Sequence, residues 1–172
     1  MYELHENEQY FFDEATLETL ADFVSKWTSP CCICAPMLGK KLAQRGVDVT
    51  ILDIDQRFAT TKGFRRFDLI SPEWIGEDFD LIVCDPPFFN VSLSQLFAAI
   101  RTLALFNFKQ KLMISYLSRR SDAIVGTFAP FSLSPTNYFP KYQTVRDVER
   151  NKIEFFSNLD KTDLEQLDLE EA

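Results

Sequence analysis

The stretch LIVCDPPFFN, residues 81–90, runs four apolar residues into an acid, two prolines and two aromatic rings. Proline has no amide N–H, fixes its own φ and restricts the residue before it, so Asp85 and Pro86 are held extended ahead of Pro87. The carboxylate of Asp85 and the carbonyl of Pro86 can then point into one cavity. Two acceptors in fixed relation suit an amine that donates one hydrogen to each. Its lone pair is left aimed outward at an electrophilic methyl group, which is catalysis by positioning rather than by a strong base. Phe88 offers a flat face beside that amine, able to stack on a nucleobase or to face a methylated ammonium. A tight turn with two buried rings is the alternative reading of the same residues.

Other acids stand where strands are expected to stop. Asp53 and Asp55 close the segment VDVTILDID, and Asp68 closes FRRFDLI. An acid at the end of a second strand, about 20 residues after the first, is where dinucleotide and adenosyl cofactors present their ribose hydroxyls. That role fits Asp53, and a plain strand exit capping a helix fits both Asp53 and Asp55 equally. The turn after the first strand contains only Gly39, which is a poor cradle for a pyrophosphate. A cofactor without phosphates, such as S-adenosylmethionine, needs less close backbone approach.

These residues need a scaffold of alternating strands and helices. Residues 13–27 carry Leu17, Leu20, Ala21, Val24 and Trp27 at spacings of three and four, which predicts an amphipathic helix with Asp13 as its N-cap. The apolar run 31–35 predicts a doubly buried strand, and Pro36 opens a helix that Gly46 closes. Strands follow over 47–55, 64–70 and 77–85, a helix over 91–107 and a strand over 111–117. Such alternation implies an α/β domain, a mostly parallel sheet with right-handed crossovers and helices on both faces. The proline-punctuated last third ends in Ile153-Glu-Phe-Phe156, read as a terminal strand or antiparallel hairpin.

At 172 residues and 46% hydrophobic, the chain suits one domain, assigned to residues 1–159. Residues 160–172 hold six acids and one lysine of a net charge of −8 and are expected to form a mobile acidic tail. The N-terminus is acidic and no run of 18 apolar residues occurs, so an intracellular, cytoplasmic protein without membrane association is expected. Cys31, Cys32, Cys34 and Cys84, with His5 as the only histidine, read as buried strand thiols rather than a zinc site. Arg65-Arg66 and Arg119-Arg120 read as solvated surface charge, although either pair could meet a phosphate.

Asp85-Pro86-Pro87-Phe88 is similar to the (Asp/Asn/Ser)-Pro-Pro-aromatic motif of amino-methyltransferases that use S-adenosylmethionine. Gln9-Tyr-Phe-Phe12, Cys34-Ala-Pro36, Leu52-Asp-Ile-Asp55-Gln-Arg57-Phe58 and Phe139-Pro-Lys141 extend the likeness. Over about residues 9–160 the chain resembles the small "probable N6-adenine methyltransferase" family. That family includes lysine methyltransferases of a translation elongation factor, and its domain is related to that of a ribosomal-RNA adenine methyltransferase. The resemblance implies a Rossmann-like class I fold and S-adenosylmethionine as cofactor. It also implies that Asp53 holds the ribose, that Pro36 lies near the methionine moiety and that Asp68 approaches the adenine amine. Gln9 and Phe12 would cover the cofactor, and Asp85, Pro86, Pro87 and Phe88 would line the target-amine site with Lys141 at its entrance.

Two substrates fit such an enzyme. A protein lysine must lose its proton in a desolvated site, and Phe88, Phe89, Tyr138 and Phe139 could wall one. The mildly acidic body and the lack of a basic stripe favour that protein substrate. Adenine in RNA or DNA, with Phe88 stacked on a flipped base, is the alternative; a partner subunit could supply its missing basic surface. A binding protein that keeps the fold without turnover is the third possibility.

Overall fold

In the computed structural model, which describes residues 1–146 and 148–167, the chain alternates strands with helices. Helix α1 (Glu14–Val24) precedes β1 (Pro30–Ile33), α2 (Pro36–Gln44), β2 (Thr50–Asp53), β3 (Phe64–Arg66) and β4 (Leu81–Cys84). Then come α3 (Leu93–Leu103), β5 (Leu112–Leu117), α4 (Ser121–Thr127), β6 (Ser134–Pro135), β7 (Ile153–Ser157) and α5 (Lys161–Leu164). The sheet has the order β3-β2-β1-β4-β5-β7-β6. The first five neighbours are parallel, and β7 runs antiparallel between β5 and β6. This is the mostly parallel sheet with a C-terminal antiparallel hairpin that the pattern predicts.

Period-two alternation sorts each strand onto two cores. Cys31, Ile33, Ile82, Ile114 and Phe156 pack against Leu96, Ile100 and Leu103 of α3 and Ile124 of α4. Cys32, Leu81, Val83, Met113 and Phe155 face Leu17, Leu20 and Val24 of α1 and Leu38 and Leu42 of α2. Helices therefore cover both faces. Asp13 caps α1 through its side chain, which accepts the Thr16 amide at 2.9 Å. Ser92 and Gln95 form a reciprocal capping box at α3.

Several boundaries differ from expectation. The first strand stops at Ile33 because Cys34 turns into the left-handed region at φ 57°. Helix α3 ends at Leu103 rather than 107, because Leu105 and Phe106 both adopt positive φ. The presumed tail is not detached at 160: Asp160 caps α5, and Leu167 is 2% exposed in the core beneath α1 and α2. Residues 168–172 lie outside the described residues. No helix among the described residues is long and apolar enough to cross a membrane. Cys31, Cys32 and Cys84 are buried unpaired thiols, and burial pushes all three above the ordinary thiol range.

Candidate active site

Strand β1 pairs with β2 on one side and β4 on the other, so strand order reverses at β1 and a crevice opens beyond the carboxyl ends of these strands. Backbone bonds fix its floor. The Cys34 amide donates to Leu52 O and the Asp85 amide to Ile33 O, each at 3.0 Å. Cys34, Asp53 and Asp85 line the resulting cleft. Ile54, Phe67, Asp68, Leu69 and Ile70 line it from the chain after β2 and β3. Pro86, Pro87, Phe88 and Asn90 come from the loop after β4, and Asn7–Tyr10 from the N-terminal segment. Its free space, counted through the mouth and including open solvent, is about 1000 Å³.

The acceptor end is built around Asp85. Ser115 Oγ, from β5, donates to Asp85 Oδ1, and Tyr142 Oη donates to the same oxygen at 2.7 Å. Among the described residues no hydrogen bond reaches Oδ2. Burial pushes the Asp85 carboxyl up to about 7, against the lowering effect of the Ser115 and Tyr142 bonds. Phe88 meets the Tyr116 ring edge-on at 5.6 Å, and the Tyr116 hydroxyl accepts Arg120 Nη1 at 2.6 Å. The ring beside the acid is thereby held in one plane.

At the other end, Asp53 is 6% exposed at the tip of β2, and its Oδ1 accepts the Asp55 amide at 2.8 Å. Burial pushes its carboxyl up to about 6, and the bonds from the Asp55 and Ile54 amides restrain the rise. Asp55, two residues on, points elsewhere. Burial raises it, but the Arg57 guanidinium and the Gln9 amide outweigh that effect and hold it below the ordinary carboxylate range. Arg57 Nη2 donates to Asp55 Oδ2 at 2.8 Å and to Gln9 Oε1 at 2.9 Å, while its Nη1 donates to Tyr2 O at 2.8 Å. The N-terminal segment is thus strapped beside the cleft. Its Glu8 carboxylate accepts the amides of Phe89 and Asn90 on the loop after β4.

Of the residues singled out in the sequence, Gln9, Asp53, Asp68, Asp85, Pro86, Pro87 and Phe88 converge on this cleft. Six do not line it. Pro36 is buried at the first turn of α2, and Cys34 occupies the cleft side of that turn. Phe12, expected over the cofactor, is 2% exposed in the core, its ring tilted against those of Tyr142 and Phe155. Phe89 is 71% exposed, because the loop turns its ring outward. Tyr138 packs on Phe155 in the core, and Phe139 lies under the Lys152 ammonium at 4.3 Å. Lys141 braces the start of α1 through its backbone, accepting from the Asp13 amide and donating to Thr16 Oγ1.

Glu8, Ser115 and Tyr142 escaped the sequence reading, and Cys34, read as a buried strand thiol, instead turns out of the strand and lines the cleft. The only signal for Ser115 was a hydroxyl inside an otherwise apolar strand. Tyr142 carried none, since its partner lies 57 residues earlier.

The residues present fit an adenosyl cofactor. Asp53 gives the cleft a buried carboxylate of the kind that accepts ribose hydroxyls, and the chain at Cys34 adopts a left-handed turn of the kind glycine usually supplies. Phe67, Leu69 and Ile70 supply apolar surface beside Asp68.

No curated protein sequence shows a match to this chain. Solved structures do. A TehB-like SAM-dependent methyltransferase from Corynebacterium glutamicum is similar at 17% identity, with a TM-score of 0.54 over 83% of this chain and 88% of that one. Magnesium protoporphyrin IX methyltransferase from Synechocystis is similar at 16% identity, with a TM-score of 0.57 over 83% and 77%. Human N-acetylserotonin methyltransferase is similar at 10% identity, with a TM-score of 0.51 over 83% and 51%. These likenesses establish a Rossmann-like methyltransferase fold. The family model described as "Probable N6-adenine methyltransferase" matches residues 3–161, nearly the whole chain, and the chain belongs to that methyltransferase family.

Proposed function

We propose that this protein is an S-adenosylmethionine-dependent N-methyltransferase whose acceptor is an amine, best read as N6 of adenine in a nucleic-acid strand. The observation that carries the amine is Asp85. Its carboxylate is anchored through Oδ1 alone, with Oδ2 unclaimed, at the edge of a cleft whose far end carries Asp53. When bound, the cofactor supplies an electrophilic methyl group. Asp53 binds the ribose hydroxyls, and Asp68 lies where an adenine amine would meet it. Asp85 Oδ2 and the Pro86 carbonyl orient the acceptor nitrogen, and the ring of Phe88 stacks on its base.

Support for adenine over lysine comes from two places. Of the four aromatic rings that favoured lysine, only Phe88 lines the cleft. The basic surface missing from the linear sequence also assembles in three dimensions. Residues 117–152 hold six Lys and Arg against three Asp and Glu, a charge of +3, which leaves −11 on the rest of a chain of net −8. Arg119 and Arg120 follow β5, and the Ser118 amide donates to Lys152 O at 2.9 Å, just ahead of Ile153, which lines the cleft. Among the described residues Arg119, Arg120, Arg150 and Lys152 form no ion pair. Cations beside the site that form no ion pair among the described residues suit a phosphodiester backbone.

Protein lysine is the second reading. One observation favours it: a carboxyl that titrates near 7 in a largely apolar cleft could take the proton a lysine must lose.

Incubation with tritiated S-adenosylmethionine and cell lysate, followed by nuclease or protease, separates the readings. Label released by nuclease is the expected result, and label released by protease transfers the assignment to lysine. Cofactor binding with no label in any macromolecule refutes both.

A further inference from the structure

Asp85 is held by two hydroxyls that reach it from remote parts of the chain. Ser115 is fully buried on β5, and Tyr142 comes from the segment before β7. Both donate to Oδ1. Tyr142 is itself fixed by a β-bridge to Phe12, by ring contact with Phe12 at 5.1 Å, and by the Gln143 amide donating to Phe11 O at 2.9 Å. We propose that Tyr142 and Ser115 act as positioning residues for methyl transfer: a two-donor clamp that fixes the Asp85 carboxyl, favours its charged form and reserves Oδ2 for the acceptor amine. The inference rests on the amine-methylation reading above.

The chemistry of the donors carries the argument. While Oδ1 accepts both hydroxyl protons, a proton that Asp85 binds is favoured on Oδ2. Oδ2 would then donate rather than accept, and an amine hydrogen could not be received there. With Oδ1 occupied by two donors, the ionised acid is the better acceptor at Oδ2. The groups facing it offer no other help in ionising it: Cys34 and Cys84 are thiols held neutral by burial, and Asp53 and Asp68 are acids on the neighbouring strand ends. Burial drives the acid toward its neutral form, and the two hydroxyls are what oppose it.

The test is the titration of the Asp85 side-chain carboxyl, followed by carbon-13 NMR in the purified chain without cofactor, for wild type, Tyr142→Phe and Ser115→Ala. Each hydrogen bond to a carboxylate is worth about one pH unit or somewhat more, so Asp85 should titrate about one unit higher in each variant. The acid limb of kcat/KM should move by the same amount. Activity would fall about tenfold at pH 6.5 and recover to near wild type at pH 9. A merely structural role would lower activity equally at every pH. That result, or an unmoved Asp85 titration, overturns the clamp. A shifted titration in a protein that methylates nothing leaves the clamp standing and sinks the proposed function instead. Ser115→Ala removes a single oxygen and serves as the milder variant should loss of the Tyr142 hydroxyl loosen the segment before β7.

Discussion

Replacing Asp85 by asparagine should make the protein more stable and less active, and the size of the gain can be worked from the site. Burial moves the carboxyl from its ordinary 3.8 up to about 7. Between those values the folded state binds a proton that the unfolded chain has released, so stability falls as pH rises from 4 to 7, and the cost is fully present above 7. Three units at 1.36 kcal/mol each set a ceiling of roughly 4 kcal/mol. Asparagine has the same shape and no charge, and its carbonyl can still accept from Ser115 and Tyr142 at the Oδ1 position. Urea unfolding of the variant should therefore show a gain of about 2–4 kcal/mol at pH 8, roughly a third to a half of that at pH 5, and almost none below about pH 3.5. For a chain of this length the gain raises the midpoint of thermal unfolding at pH 8 by about 5–15 °C. With both hydroxyls donating to the amide oxygen, the NH₂ takes the Oδ2 position and does not accept there, so, although other members of the motif carry Asn, methyl transfer in this chain should drop by about tenfold or more. A variant no more stable than wild type at pH 8, or one whose advantage is constant from pH 5 to 9, would refute the reasoning.

Other perturbations follow from the same geometry. Asp53→Asn should weaken S-adenosylmethionine binding by about tenfold or more; in calorimetry, wild-type affinity should rise with pH through about 6 as Asp53 ionises, while the variant's stays flat. Removing the charges of Arg119 and Lys152 together with alanine should weaken single-stranded RNA binding and make the plot of log K against log salt shallower by about 1.4, or about 0.7 per lost phosphate contact; an unchanged slope excludes this rim as the backbone contact. Gly63→Ala should destabilise by about 2 kcal/mol or more, because φ is +91° and the added Cβ would fall 2.0 Å from Val49 O. Gly46→Ala, with φ +81° and open space around it, should cost only about 1 kcal/mol in the same denaturation experiment.

The sheet was legible because its strands announce themselves. Cys31–Ile33 and Leu81–Cys84 read as unbroken apolar runs and Leu112–Leu117 as one broken only by Ser115, and all three are buried on both faces. The strand ends were legible for the same reason: Asp53 and Asp85 are abrupt charges after such runs, and both reach the cleft. Long-range partners left no comparable trace. Nothing in the spacing of Tyr142 marks it as a ligand of Asp85, and a tyrosine followed by a phenylalanine and a proline at 138–140 reads like an active-site wall although Tyr138 is core. Cations also hid. Arg119 and Arg120 sit more than 25 residues from Arg150 and Lys152, and only the antiparallel pairing of β5 with β7 makes them neighbours. The acidic charge of the last residues masked Leu167, whose burial depends on a groove beneath α1 and α2 that composition cannot describe.

The late arrival of β7 bears on how the enzyme is made. Five parallel strands and the acid at the tip of β4 emerge from the ribosome first, in the order in which they pair with their neighbours. One hydroxyl that secures that acid does not exist until residue 142, and the strand that locks the segment in place is complete only at Ser157. A nascent chain can therefore assemble most of its core while its reactive end is unfinished, and the acid is secured only once β7 has emerged and paired.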